Sequence, residues 1–275
     1  MGKKVIDIIK YVLLGIWTVV CLFPLYWLVA FSLKDNNEIF GENIAGLPRH
    51  WLFENYNSAF MGGNVGTYLI NSIIVTIVTI LLTVFIAVTA SYALERMEWK
   101  FRKTTMTILM LGLMIPMHAA LLPVFYMMQK LKIINSLWAL IIPYVGFAMP
   151  MAIMIVSGFI TGIPRELEES ASIDGASIYK IFTSVILPLL KPAIATSSIF
   201  TFLQAWNELM FATVFISENS KKTLTVGIQS MSGQYLTQWG PIGAALVVAT
   251  IPTLVIYLLL NKQVQESLVM GAVKG

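Results

Sequence analysis

The chain has 275 residues, of which 57% are hydrophobic and 12% charged, with a formal net charge of +4 and a mean hydropathy of +0.80. A soluble domain carries about twice that charged fraction, so composition excludes a soluble enzyme core, a disordered chain and a nucleic-acid binder, and places the protein in lipid. The basic residues cluster beside apolar runs, where they report orientation rather than an anionic partner, and the single Cys21 rules out a disulfide framework or a CxxC site.

A membrane-spanning helix needs about 20 predominantly apolar residues. Six runs qualify, at about 11–33, 68–93, 104–128, 137–160, 192–216 and 241–260. None shows the alternation of a barrel strand, so the expected fold class is an all-α polytopic membrane protein of six transmembrane helices. The first run follows Lys3-Lys4 but is too long for a signal peptide and lacks a small-residue cleavage site, so it reads as a retained span. Ile6 breaks the MGxxx[ST] lipidation pattern.

With the N-terminus inside, 12 of the 18 Lys and Arg residues fall on the inner side and the other six, Lys34, Arg49, Lys130, Lys132, Lys221 and Lys222, fall outside. Both termini are then expected in the cytoplasm. With no internal repeat, residues 1–275 are read as one transmembrane domain with outer loops at about 34–67 and 217–240 and an inner loop at 161–191.

The second span carries Ser72, Thr76, Thr79 and Thr83 at helical spacing, a pattern of helix interfaces. In the third, His118 lies between Pro116 and Pro123, as a packing residue or a ligand contact, and Met106, Met110 and Met114 read as packing.

The inner loop, 31 residues at 161–191, is longer than such connections usually are. Pro164 suits a first helical position, Glu166, Glu168 and Glu169 complement the N-terminal dipole, and Gly175 stops the helix. Ser177 then caps a second helix running toward Pro188 and on into the fifth span. The small residues Ser170, Ala171 and Ser172 beside Gly175 let another backbone approach, and the acids suit a basic partner surface. A solvated loop is the bland alternative; a docking element is the functional one.

In the fifth span Ser197, Thr201, Gln204 and Glu208 recur at i, i+4, i+7 and i+11, one helical stripe with Asn207 on its flank. Polar groups in a span avoid lipid, and amides and hydroxyls suit sugar hydroxyls, with Trp206 offering a ring face. The competing role for the stripe is interhelical glue.

The run Glu169-Ser170-Ala171, three residues, Gly175, nine residues, Val185, one residue, Leu187-Pro188 resembles the coupling-loop signature of ABC importer permeases, with Ser170 for Ala and Val185 for Ile as conservative departures. Residues 164–208, the segment ALERMEWKFRK and the ending GAVKG are similar to the carbohydrate-uptake branch of that family, near the second maltose-type permease. The resemblance implies a type I importer architecture in the prokaryotic cell membrane. It implies as partners a second homologous permease, two cytoplasmic ATPase subunits and an external solute-binding protein, in a lipid setting and without nucleic acid. It further implies that the chain binds no cofactor, ATP and Mg being held by the ATPase. The sequence agrees: Gly41 and Gly46 have P-loop spacing but are followed by Leu47-Pro48 rather than Lys and Ser or Thr. By the same resemblance Glu166, Glu169, Ala171, Ile173, Asp174 and Gly175 are expected at the ATPase contact, and the tail 261–275 is expected to approach it.

A secondary transporter is the main rival, but Glu208 is the only acid within a span and no two halves correspond. A membrane enzyme lacks HExxH, GxSxG or paired carboxylates within a span, and no catalytic or metal-ligating residue is expected. Other polar solutes, such as a glycerophosphodiester, a sugar phosphate or a peptide, remain alternatives. A phosphate would favour basic residues in the path, and every Lys and Arg falls in a loop or terminus.

Overall fold

The computed structural model describes residues 2–41, 43–233 and 237–272, with side chains at 4–41, 43–233 and 237–259. The expected tail contact at 261–275 lies outside the described side chains. Among the described residues every regular element is helical. The helices that frame the sites are α1 (Gly2–Ser32), α2 (Val65–Arg96), α3 (Arg102–Leu111), α4 (Leu121–Lys130), α5 (Trp138–Ile160), α6 (Glu166–Ile173), α7 (Lys191–Asn207), α8 (Met210–Phe215) and α9 (Trp239–Ala272). Among the described residues four helices, α1, α2, α5 and α9, are long and apolar enough to cross a membrane alone, and up to six spans result if each of two bent helix pairs counts as one.

Of the six expected spans, the third and fifth are not single straight helices. The third run turns by 96° between its halves. Ile115 and Pro116 are extended there, because proline lacks the amide that would continue the ladder and drives its predecessor out of the helical region. A short 3-10 turn at Met117–Ala120 starts the second half. The fifth run is entered through a 71° bend at Leu190, between the helical piece Ile178–Leu189 and α7. Its helix ends at Asn207 rather than 216, Glu208 is extended, and α8 follows after the break. Pro24, Pro143, Pro150 and Pro252 all sit inside helices that stay continuous.

The chain divides into two compact units, 1–66 with 227–252, and 67–226 with 253–275. In the first, α1 is exposed along its apolar length as far as Phe23, a surface suited to lipid, while Ala30, Ser32, Leu33 and Lys34 are buried. The Asn55 amide donates to the carbonyls of Ser32 (2.9 Å) and Lys34 (3.0 Å), and Asn36 clamps the start of α9 by donating to the Thr237 carbonyl (2.7 Å) and accepting from the Trp239 amide (2.9 Å). Close approach requires glycine here: a Cβ on Gly240 would lie 2.5 Å from the Lys34 carbonyl oxygen and against the Asn55 amide.

The second unit is built on α5, along which α7 packs. One core gathers Val75, Leu140, Tyr144, Ala205, Phe211 and Phe215. A second, toward the C-terminal end of α5, gathers Val88, Tyr92, Val156, Ile160, Ile181 and Ile186. Met106 and Met110 pack against a third around Ala152 and Ile153, whereas Met114 is exposed. Ser72 accepts from the Leu224 amide at 2.8 Å, and Thr76, Thr79 and Thr83 are buried with it, as the interface pattern implies.

Candidate functional site

The 161–191 segment folds as two helical pieces around a glycine turn. α6 begins at Glu166 with its acids in the first turn, two residues later than Pro164 would place it. Gly175 has φ +80°, the left-handed region that glycine enters without penalty, and the chain reverses there. Ser177 caps the following helix, Ile178–Ile181, accepting from the Lys180 amide. A widened, π-type turn at Phe182–Ile186 comes next, where the ring of Pro188 displaces the carbonyl four residues back. The short helix Leu187–Leu189 then meets the 71° bend into α7. The passage from loop to span is therefore jointed rather than one straight lever.

The outer surface of this segment carries Glu166, Glu169, Asp174 and Gly175, all exposed, with Ile173 at 86% and Tyr179 at 80% exposure. Ala171 is turned partly inward, against the core around Val156 and Ile160. Exposed acids, two bare apolar side chains and a glycine with no heavy atom within 4 Å of a built Cβ make a surface open to a partner. Tyr179 is a member that the spacing of the signature does not reveal.

Three further residues hold the segment from behind. Glu168 forms a 2.7 Å ion pair with Arg96 at the end of α2, and Tyr92 donates to its other oxygen at 3.1 Å. The sequence shows Arg96 only as one of a basic cluster, since partners 72 positions apart leave no local pattern.

The second polar centre lies where the two broken helices meet α5. Glu208, buried, accepts from the amides of Phe211 (2.8 Å) and Ala212 (3.1 Å) and from the Tyr144 hydroxyl (2.5 Å), so its carboxylate caps the start of α8. The Thr225 hydroxyl donates to its carbonyl at 2.8 Å. His118 stands on the 3-10 turn after the 96° bend, 63% exposed, with Nε2 4.0 Å from a Glu208 oxygen. Two chain breaks far apart in sequence are thus brought together around one carboxylate.

The stripe on α7 divides. Ser197 and Thr201 are buried and donate to their own helix, to the carbonyls of Ile194 (3.1 Å) and Ser197 (2.9 Å). Trp206 is buried with Phe202 stacked on it at 5.5 Å, which covers one ring face. Gln204 is half-buried, its amide 3.7 Å from the Met117 sulfur, and Asn207 is exposed, donating to the Leu203 carbonyl at 2.9 Å. His118, Gln204 and Asn207 therefore keep polar atoms available beside the breaks.

Residues 83–268 match the family described as binding-protein-dependent transport system inner membrane component. The chain is 34% identical over 277 residues to the trehalose/maltose transport system permease protein MalG of Thermococcus litoralis, covering 99% of this chain and 98% of that one. It is 31% identical over 265 residues to the diacetylchitobiose uptake system permease protein NgcG of Streptomyces coelicolor, covering 96% and 87%. Among solved structures, a bacterial ABC transporter involved in import of the acidic polysaccharide alginate superposes with a TM-score of 0.83, at 22% identity, over 95% of this chain and 97% of that one.

Proposed function

The chain belongs to the family of binding-protein-dependent transport system inner membrane components, and from that premise we propose that it is one of two permease subunits of an importer for a sugar or oligosaccharide. It is a multi-pass membrane protein and a permease of the ABC type. In this reading each bent helix pair counts as one span, giving six spans with both termini in the cytoplasm. A second permease completes the pathway, an external binding protein delivers solute, and two ATPase subunits lie beneath.

The observation that carries the reading is the exposed α6 to Tyr179 surface, folded around Gly175 and bearing the importer signature. Packing of Ile173 and Tyr179 supplies most of the affinity in such an interface, and Glu166, Glu169 and Asp174 set its orientation. Sugar specificity rests on the names of the trehalose/maltose and diacetylchitobiose relatives and on the neutral amides Gln204 and Asn207 with His118 at the helix breaks. Backbone freed at a break within a span is tolerated where it lines a cavity, which supports a path at this point.

The test is ATP hydrolysis by the membrane-reconstituted complex that co-purifies with the chain, compared between wild type and Gly175→Asp. Wild type is expected to show hydrolysis stimulated by solute-loaded binding protein. The variant is expected to lose assembly or stimulation. A Cβ at 175 meets nothing within the chain, but φ +80° strains any side chain there, so the loss reads out the partner's surface when the variant's membrane level and unfolding temperature match wild type. Absence of an ATPase, or normal transport by the variant, overturns the coupling assignment and moves a secondary transporter to the front.

A further inference from the structure

We infer that Arg96 and Tyr92, at the end of α2, form a clamp on Glu168 that positions the coupling helix and carries its motion into α2 as well as into α7. The inference rests on the permease reading and adds a second transmission route with positioning residues of its own.

Arg96 is 8% exposed and gathers three elements with one guanidinium: Nε pairs with Glu168 of α6 at 2.7 Å, and Nη2 donates to the carbonyls of Ile160 (2.9 Å) and Ile163 (2.6 Å) at and just beyond the end of α5. The planar guanidinium suits this task, because one group reaches a carboxylate as an ion pair through Nε and two carbonyls as hydrogen bonds through Nη2. A cation at the C-terminal end of α5 also meets the negative end of its dipole.

Tyr92 lies one turn before Arg96 on the same face of α2. Its hydroxyl donates to Glu168 at 3.1 Å and its ring lies 5.0 Å from that of Phe182. Glu168 and Phe182 stand on opposite sides of the Gly175 turn. One side chain of α2 therefore holds both arms of the loop.

The covalent route from loop to span is compliant: it contains the widened turn at Phe182–Ile186 and the 71° bend at Leu190. A jointed connection transmits displacement poorly by itself. The clamp supplies a short, largely buried ion-paired link that bypasses both joints. It also explains why Glu168, in a run of three acids, is turned away from the partner surface while Glu166 and Glu169 remain exposed.

The experiment uses the reconstituted complex and reads solute-stimulated ATP hydrolysis and sugar uptake for wild type, Glu168→Gln, Arg96→Lys and Tyr92→Phe. In Glu168→Gln the ATPase still co-purifies and basal hydrolysis persists, while stimulation falls about five-fold or more, the lower range of coupling between sites. Arg96→Lys, which keeps a cation beside Glu168, retains more of the stimulation than Glu168→Gln, a ranking a general folding defect does not give. If Glu168→Gln does not accumulate in the membrane, Arg96→Lys and Tyr92→Phe read the same quantity with the charge retained, and lowered stimulation is expected in both.

Full stimulation in the clamp variants, alongside its loss in Gly175→Asp, overturns the clamp and leaves the coupling reading standing. Absence of any ATPase with wild type overturns both.

Discussion

The Tyr144 hydroxyl donates to the Glu208 carboxylate at 2.5 Å, joining the first third of α5 to the point where α7 stops and α8 begins. The same carboxylate accepts from two amides of α8, so a break in a membrane helix is made tolerable by one side chain. In hydrocarbon those amides would otherwise be orphaned at several kcal/mol each.

Tyr144→Phe removes the hydroxyl and leaves a buried carboxylate one donor short. The expected cost is about 1–3 kcal/mol, read as a lower unfolding temperature of the purified protein in detergent. Glu208→Ala abolishes the cap as well and falls further. Equal stability of Glu208→Ala and wild type would show that the break is held by something else.

The glycines give a contrast of sign. Gly240→Ala drives a methyl into the Lys34 carbonyl and the Asn55 amide, and overpacking of this kind costs about 1–3 kcal/mol. Gly158, inside α5, has nothing within 4 Å of a built Cβ, so Gly158→Ala gains helix propensity of up to about 1 kcal/mol. Thermal unfolding of the two variants should bracket wild type.

Much of this architecture is legible in the sequence because it follows from local rules. Apolar length locates the helices, and the punctuation of 161–191, with Gly175 as stop and Ser177 as cap, places the turn where it is found. The bends are less legible, since Pro143 and Pro150 are accommodated inside α5 while Pro116 breaks its helix, and a proline in an apolar run does not by itself say which will happen. What separates them is tertiary: the turn after Pro116 carries His118 to the Glu208 centre, formed by residues about 90 positions away. The pairing of Arg96 with Glu168 is hidden for the same reason. Burial of Trp206 under Phe202 is likewise set by packing, although the i, i+4 spacing of the two rings brings them onto one face.

Uptake should separate the two halves of the α7 stripe. Gln204→Ala and Asn207→Ala remove amides beside the helix breaks and leave the core intact. Each is expected to raise the KM for sugar uptake about five-fold, the equivalent of one neutral hydrogen bond of about 1 kcal/mol, with little change in unfolding temperature. Ser197→Ala and Thr201→Ala remove hydroxyls satisfied within their own helix, and uptake should stay near wild type. The reverse pattern would place the path along the Ser197 and Thr201 half of the stripe instead.

Ile173 and Tyr179 flank the Gly175 turn at 86% and 80% exposure, so within this chain they pack against almost nothing. Large apolar side chains left bare on a polar loop cost the isolated subunit solubility and contribute only when a partner covers them. Ile173→Ser and Tyr179→Ser should therefore leave the unfolding temperature unchanged within about 0.5 kcal/mol, as surface substitutions do. Burial of such side chains is worth about 1.5–3 kcal/mol each, so co-purification of the ATPase should weaken by about ten-fold or more per substitution. The measurement is the amount of ATPase retained on the tagged, detergent-solubilised subunit across a dilution series. Loss of ATPase with unchanged stability fixes these side chains at the interface. Undiminished retention in both variants would move the contact to the acidic first turn of α6, where Glu166→Ala and Glu169→Ala would then carry the loss.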